Sequence, residues 1–298
     1  MTEAAIAHPP AVRQRTLAKA RILLEALPYM REHRGQVVVV KLGGAAMSEP
    51  HLTESFAQDV ALLWLAGIRV VVVHGGGPQI TAVSERLGLT PRFERGLRVT
   101  DAETLEAVRM VLVGRLNKDL VGAVIRQGVP AAGMSGDDGS LLIAAPREES
   151  LGYVGEVVEV RPALLDTLLT EFIPIVASTA TDGRGQPYNV NADEAAAALA
   201  AALGAAKLIY VSDVPGIMAE EDGIPTLLSE VPLEECPRLV AAGVARGGMV
   251  PKLQGIERAL RSGVERAHIV DGRVEHSLVL ELFTPEGLGT MVTREVAG

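Results

Sequence analysis

Cysteine is almost missing: Cys236 is the only one in 298 residues. One thiol cannot form an intramolecular disulfide, which fits a reducing compartment. It sits in Glu234-Glu-Cys-Pro237 with no base or ligand partner nearby in sequence, so it reads as inert packing. Aromatic residues are scarce at 3%, with Trp64 the single tryptophan, which removes the stacking platforms that single-stranded nucleic acid needs. Positive charge is not in excess. Lys and Arg number 28 against 37 Asp and Glu, and the net charge of −9 argues against a broad nucleic-acid or membrane surface. No run approaches the ~18 apolar residues of a membrane span. Met1 to Pro10 lacks a basic segment followed by an apolar core, so it does not read as a signal peptide. A cytoplasmic protein is expected, with no nucleic-acid or membrane partner. Familiar phosphate motifs are absent too. There is no G-x-x-x-x-G-K-[ST], and Gly75-Gly-Gly-Pro-Gln-Ile lacks the third small residue of a dinucleotide fingerprint. A hydrolase elbow G-x-S-x-G fails at the fifth position of Gly133-Met-Ser-Gly-Asp137.

What is present is 48% apolar and only 22% charged residues, enough for a sizeable core in one large α/β domain or two small ones. Residues 1–12 read as a tail. From Arg13 to Glu32, Leu17, Ala20, Leu24, Leu27 and Met30 recur at helical steps, and Pro28 should kink that amphipathic helix. Val37–Val40 and Val70–Val73 are continuous apolar runs, the mark of strands buried on both faces. Helices are expected at 52–66 and from Pro78 to Leu87. The alternation predicts βαβ units and a mostly parallel sheet between helices. Residues 101–127 read as helix broken near Gly114, and 129–132, 140–145 and 153–160 as a small hairpin region. Strands follow at 173–177, 207–212 and 267–270. Helices follow at 193–203, 232–243, 249–262 and 275–283, and 290–293 reads as a last edge strand. A soft boundary falls near 180–190.

Strand ends carry ligands in open α/β sheets. Here they run into Lys41-Leu-Gly43-Gly44, His74-Gly75-Gly76-Gly77, Asn189-Val-Asn191-Ala-Asp193 and Ser212-Asp213-Val-Pro-Gly216. Paired glycine turns let backbone N–H groups approach an anion closely. Lys41 at the end of a Val-rich strand, and Lys252 near a helix start, occupy places where a cation is costly unless an anion is near. Arg98, in Gly96-Leu-Arg-Val-Thr100, is a candidate carboxylate fork. Asn189 and Asn191 would point the same way in extended chain.

These residues, with Gly248-Met249-Val-Pro-Lys252, resemble the amino acid kinase family from about Gln36 onward, and within it the branch that phosphorylates acetylglutamate. No key motif position departs from the pattern. The resemblance implies an amino acid kinase fold, with 1–34 as tail and oligomerisation helix. It makes 35–185 an N-lobe for acetylglutamate and dimerisation, and 186–298 a C-lobe for ATP and an arginine site. It implies transfer of phosphate from ATP, with Mg²⁺ on its phosphates, to the side-chain carboxylate of N-acetyl-L-glutamate, the second step of arginine biosynthesis. By the same resemblance Lys41, Lys252 and Asp193 are catalytic. Gly43, Gly44, Gly75, Gly76, Gly77, Arg98, Asn189 and Asn191 bind substrate and the transferring group. Lys41, Ser212, Asp213, Gly216, Ile217, Met218, Gly248, Met249 and Lys252 bind the nucleotide, and no protein metal ligand is expected. The leading helix resembles that of arginine-inhibited hexamers built as trimers of dimers. The inhibitor site then falls on Tyr29, Lys207, His268, Glu281 and Gly287.

Overall fold

The structure, a computed structural model, describes residues 10–44, 47–221 and 223–294. It opens with α1 (Pro10–Glu25) and α2 (Leu27–His33), which part at Ala26. Pro28 lies in the first turn of α2, where its missing N–H is not needed and its ring prevents α1 from continuing. The expected kink is therefore present. The expected tail is shorter, since Pro10 to Val12 are already helical. Leu17, Ile22, Leu23 and Leu24 of α1 are each more than half exposed, so the apolar stripe has no partner within the described chain.

Next come β1 (Val37–Leu42), α3 (Pro50–Leu65), β2 (Arg69–His74) and α4 (Gly77–Arg86). A short ribbon of β3 (Phe93–Glu94) and β4 (Leu97–Arg98) leads to α5 (Ala102–Arg109). Between α5 and α6 (Asn117–Arg126) the chain does not break at Gly114. It widens into a π-helical stretch, Met110–Leu116, and one interior glycine does not cost enough to interrupt it. The wider turn resets the buried stripe so that Leu112, Leu116 and Asn117 all face the strand ends. Then follow β5 (Ala131–Ser135), β6 (Leu142–Pro146), β7 (Gly155–Val160), α7 (Ala163–Leu168) and β8 (Ile173–Ala177). The segment expected to open the hairpin region, β5, instead pairs parallel to β8 at the rim of the main sheet. After β9 (Thr179–Thr181) and β10 (Pro187–Asn189) come α8 (Ala192–Ala202) and β11 (Lys207–Ser212). The chain ends with β12 (Met218–Glu221), β13 (Ile224–Leu227), β14 (Glu230–Pro232), α9 (Cys236–Ala241), α10 (Met249–Arg261), β15 (Arg266–Asp271), α11 (Ser277–Phe283) and β16 (Thr290–Thr293). The expected 232–243 helix is shortened by β14. That strand takes the edge expected for 290–293, because β16 is paired on both sides.

The fold is α/β with an eight-stranded central sheet in the order β14-β16-β15-β11-β1-β2-β8-β5. Only the β15–β16 pair is antiparallel. A smaller sheet, β10-β9-β6-β7, sits beside it. Strand alternation explains the continuous valine runs. Val37 and Val39 of β1 face a cluster that includes Ala196 and Leu199 of α8 and Ile256 of α10, while Val38, Val40 and Leu42 face Phe56 and Val60 of α3. Lys41 continues the odd-numbered face, toward the first turn of α8.

Candidate active site

The first turn of α8 is the pivot of the site. Asn191 caps it, its side-chain oxygen accepting from the N–H of Asp193 at 2.8 Å and of Glu194 at 3.2 Å. The start of the helix is pinned from behind by Tyr210 on β11, whose hydroxyl donates to the Asp193 carbonyl at 3.0 Å. Room for that hydroxyl exists because residue 255 is glycine: a Cβ there would sit 2.8 Å from the oxygen. Glu194 accepts from Arg147 at 2.6 Å and from the Val157 N–H at 3.2 Å, which ties the small sheet to the same helix turn.

Asp193 then bridges two ammonium groups. Lys41 Nζ lies 2.7 Å from Oδ1 and Lys252 Nζ 3.2 Å from Oδ2. The lysine side chains are 12% exposed and that of Asp193 9%. Burial pushes the Asp193 carboxyl up, but Lys41 and then Lys252 outweigh it and hold the group below the ordinary carboxylate value. One carboxylate between two lysines leaves a surplus positive charge at the mouth of the glycine turns. A buried surplus cation is costly without an anion.

The turns themselves are sterically fixed. A Cβ on Gly43 would lie 2.6 Å from the Val211 carbonyl oxygen, and one on Gly76 would lie 2.3 Å from Leu116 Cδ1. Gly44, Gly75, Gly76, Gly77 and Lys41 line a cavity of about 250 Å³, which Arg98, Asn189, Asn191 and Asp193 complete. Arg98, the candidate carboxylate fork, lies in the wall of this cavity. It is buried, its Nη2 donating to the Gly77 carbonyl at 2.9 Å and to Thr81 Oγ1 at 2.7 Å. The guanidinium carbon lies 4.7 Å from the centre of the Phe93 ring. Its Nη1 is buried without a partner. A fork with one tine fixed and one free suits a ligand carboxylate. Asn189 Nδ2 donates to Thr100 Oγ1 at 3.2 Å at the same cavity.

A second cavity of about 630 Å³ adjoins through Asp193 and Asn191 and is walled by Gly247, Gly248 and Lys252. Ser212, Asp213, Gly216 and Met218 line neither cavity. Ile217 is buried, and its N–H donates to Thr290 Oγ1 at 2.8 Å. Met249 starts α10, one turn before Lys252. Among the described residues no group of three His, Cys, Asp or Glu side chains could hold a metal ion. Both Asp193 oxygens are already engaged.

Residues proposed from the sequence for an inhibitor gather elsewhere. His268 Nδ1 and Glu281 Oε1 are 2.6 Å apart, and Lys207 Nζ lies 3.4 Å from His268 Nε2. Glu281 Oε2 also accepts from the Leu288 N–H at 2.7 Å and the Gly289 N–H at 3.0 Å. Gly287, at φ +60°, packs against that carboxylate. Burial brings the Lys207 ammonium down to about 8. His33 of α2, buried with Nδ1 unpartnered, is pulled down by burial and by Lys207, so the leading helix pair reaches this cluster. Tyr29 is half-buried on α2.

Sequence reasoning missed Phe93, Thr81, Asn117 and Arg147, and it gave Glu194 only the ordinary role of a first-turn acidic residue. Only Asn117 carried a signal, as an uncharged polar residue on the buried face of a helix.

The sequence profile of the amino acid kinase family matches residues 36–271. An acetylglutamate kinase from Nostoc punctiforme is 46% identical over 283 residues, covering 94% of this chain and 95% of its own. One from Symbiobacterium thermophilum is 47% identical over 291 residues, covering 94% and 99%. Among solved structures, the N-acetylglutamate synthase of Neisseria gonorrhoeae with coenzyme A and N-acetyl-glutamate superposes with a TM-score of 0.82 at 29% identity. The match covers 93% of this chain and 64% of the synthase chain. The same synthase with coenzyme A and L-arginine gives 0.79 at 27%, covering 93% and 66%. Among the described residues no helix is long and apolar enough to cross a membrane.

Proposed function

The chain belongs to the amino acid kinase family, and from that premise we propose that it transfers the γ-phosphoryl group of ATP to the side-chain carboxylate of N-acetyl-L-glutamate, giving an acyl phosphate and ADP in arginine biosynthesis. The chain is a phosphotransferase of the acetylglutamate kinase kind. The observation that carries the substrate assignment is the pairing of two subsites. A buried Arg98 with one free nitrogen stands in the same cavity as the glycine turns and Lys41.

Phosphoryl transfer asks for positioning and positive charge rather than covalent help. The acceptor carboxylate has an ordinary pKa of about 4.3, so it is ionised at neutral pH and needs no general base. Arg98 holds the α-carboxylate, and Asn189, the acetamido group. The N–H groups of Gly44 and Gly76 bind oxygens of the group in flight. Lys41 and Lys252 sit on either side of it, held apart by Asp193, and balance the charge that spreads over its oxygens. The nucleotide occupies the Lys252 side, with Ser212 to Met218, Gly248 and Met249 near its base and phosphates. The N-lobe thus carries the acceptor and the C-lobe the donor. Mg²⁺ would neutralise the nucleotide phosphates, which would supply most of its ligands, since among the described residues no group of three His, Cys, Asp or Glu side chains could hold a metal ion. Acetylglutamate-dependent ADP formation by the purified protein tests this reading. Equal or faster turnover with aspartate, carbamate or a nucleoside monophosphate would refute it.

Inhibition by L-arginine is part of the proposal. The cluster of Lys207, His268 and Glu281 supports it, because it lies against the leading helices and carries a buried carboxylate suited to a guanidinium. The exposed apolar stripe of α1 supports a hexamer in which that helix swaps between dimers. Glu281→Ala is expected to raise the arginine concentration for half-inhibition about tenfold, the loss of one charge-assisted contact, with uninhibited kcat nearly intact. Deleting residues 1–33 should leave dimers with weakened inhibition. Arginine titrations and light scattering check both, and unchanged sensitivity in Glu281→Ala moves the inhibitor site elsewhere.

A further inference from the structure

Three consecutive glycines form a poor template unless something fixes them, because each samples a wide range of backbone angles. At Gly75-Gly76-Gly77 that something is His74. The His74 side chain is fully buried at the end of β2, and its Nδ1 lies 3.0 Å from the Gly75 carbonyl oxygen. The carbonyl and the following N–H of a trans peptide lie on opposite sides of the bond, and the described chain has no cis peptide. A Gly75 carbonyl held by the histidine therefore turns the Gly76 N–H the other way, to the side of the cavity that these glycines line. No described group accepts from the Gly76 N–H.

The tautomer follows from Asn117. Its Nδ2 faces two groups that only accept, the carbonyls of Ile175 at 2.8 Å and Met134 at 3.1 Å. Its oxygen faces the Lys118 ammonium at 3.1 Å. The amide nitrogen is thus correctly turned, and it also meets His74 Nε2 at 3.2 Å. The two amide hydrogens are shared among these three acceptors, and a protonated Nε2 would oppose them; the Gly75 carbonyl can only accept, so the ring proton is on Nδ1, where it donates to Gly75. Burial pushes the imidazole down to about 4, which keeps the ring neutral near pH 7. Among the described residues the hydrogen-bond partners of the two ring nitrogens are the Gly75 carbonyl and the Asn117 amide, both uncharged.

We propose that His74, locked by Asn117 as the Nδ1–H tautomer, is a positioning residue that sets the Gly75–Gly76 peptide so that the Gly76 N–H meets the transferring phosphoryl group. The inference rests on the reading above that the glycine turns hold that group. His74→Asn and His74→Gln, measured in acetylglutamate-dependent ADP formation, are expected to lose about 10- to 30-fold in kcat, part of what one preorganised donor supplies. KM for both substrates should stay within about threefold. A folded variant with kcat within about twofold of the unaltered enzyme overturns the proposal, as does a loss carried by KM alone. Nitrogen NMR of the unaltered protein labelled with ¹⁵N-histidine decides the matter independently, should the variants not fold. The ring in contact with the Asn117 amide protons should show a protonated Nδ1 and an accepting Nε2 from pH 8 to pH 5. An Nε2-protonated or cationic ring at pH 6 overturns the proposal. An unaltered protein without acetylglutamate-dependent turnover would instead refute the functional reading, and the tautomer measurement would still judge His74.

Discussion

Lys252→Ala or Lys41→Ala is expected to lower kcat by about 10²–10³, the loss typical of one preorganised contact to a transition state, while KM for ATP moves less. Each lysine stands where a cation has little reason to be. Lys41 is the penultimate residue of a strand whose other residues are fully or almost fully buried valines and leucine. Lys252 falls in the first turn of α10, where the helix dipole disfavours positive charge. Asp193 compensates one of the two charges, and the phosphoryl group is the natural counterion of the other. In the ground state ATP is also held by its remaining contacts, so truncation shows mainly in the step where charge redistributes. Steady-state kinetics with a melting curve for each variant checks this. Either alanine variant with near-normal kcat removes the lysine from the mechanism. Because Asp193 holds both ammonium groups, Lys41→Ala and Lys252→Ala should combine to less than the product of their separate effects.

Arg98→Ala is expected to raise KM for acetylglutamate by roughly 10- to 100-fold, and Arg98→Lys by at least ~10-fold, from the loss of a charge-assisted contact of about 1.5–3 kcal/mol. Lysine keeps the charge and loses the plane. In this site the plane matters, because one nitrogen is committed to Gly77 and Thr81 while the other is left free, and the flat cation lies against Phe93. KM for ATP should hardly change. An equal rise for both substrates would instead mean that Arg98 supports the α4 and β4 region as a whole, a role its bonds to Gly77 and Thr81 also permit.

The order of strands and helices is legible because β1, β2, β8 and β11 are buried on both faces and so read as unbroken apolar runs. The lysine and glycine turns are legible for a related reason: they break those runs at one end of the sheet. Other features depend on partners distant in sequence. Arg98 reads as a candidate carboxylate fork, but its burial depends on Phe93 and Thr81, which fold against it. Ala131 to Ser135 looks like part of a hairpin region because a short strand does not reveal which sheet it joins, and here Ile173 to Ala177 selects the large one. Gly114 looks like a break, yet packing of Leu112 and Leu116 on Gly76 favours a wider helical turn over an interruption. Glu281 is placed in the inhibitor site by the resemblance, but its burial is not legible, because His268 from β15 and the Leu288 and Gly289 N–H groups close on it only in the fold.

Strand β1 is hydrogen-bonded to β2 along one side and to β11 along the other, each over five or more residue pairs. Lys41, in the wall of the Arg98 cavity, stands on that ladder, and the Lys252 cavity joins it through Asn191 and Asp193. A hinge between two halves bends at a linker, and here the place where it would bend is filled by the β1–β11 bonds. What a ladder yields without breaking is torsion, since the angle between neighbouring strands ranges widely among sheets. The molecule should work like a torsion bar. A small twist at β1 and β11 would swing the loops that stand above the strand ends and leave every rung intact.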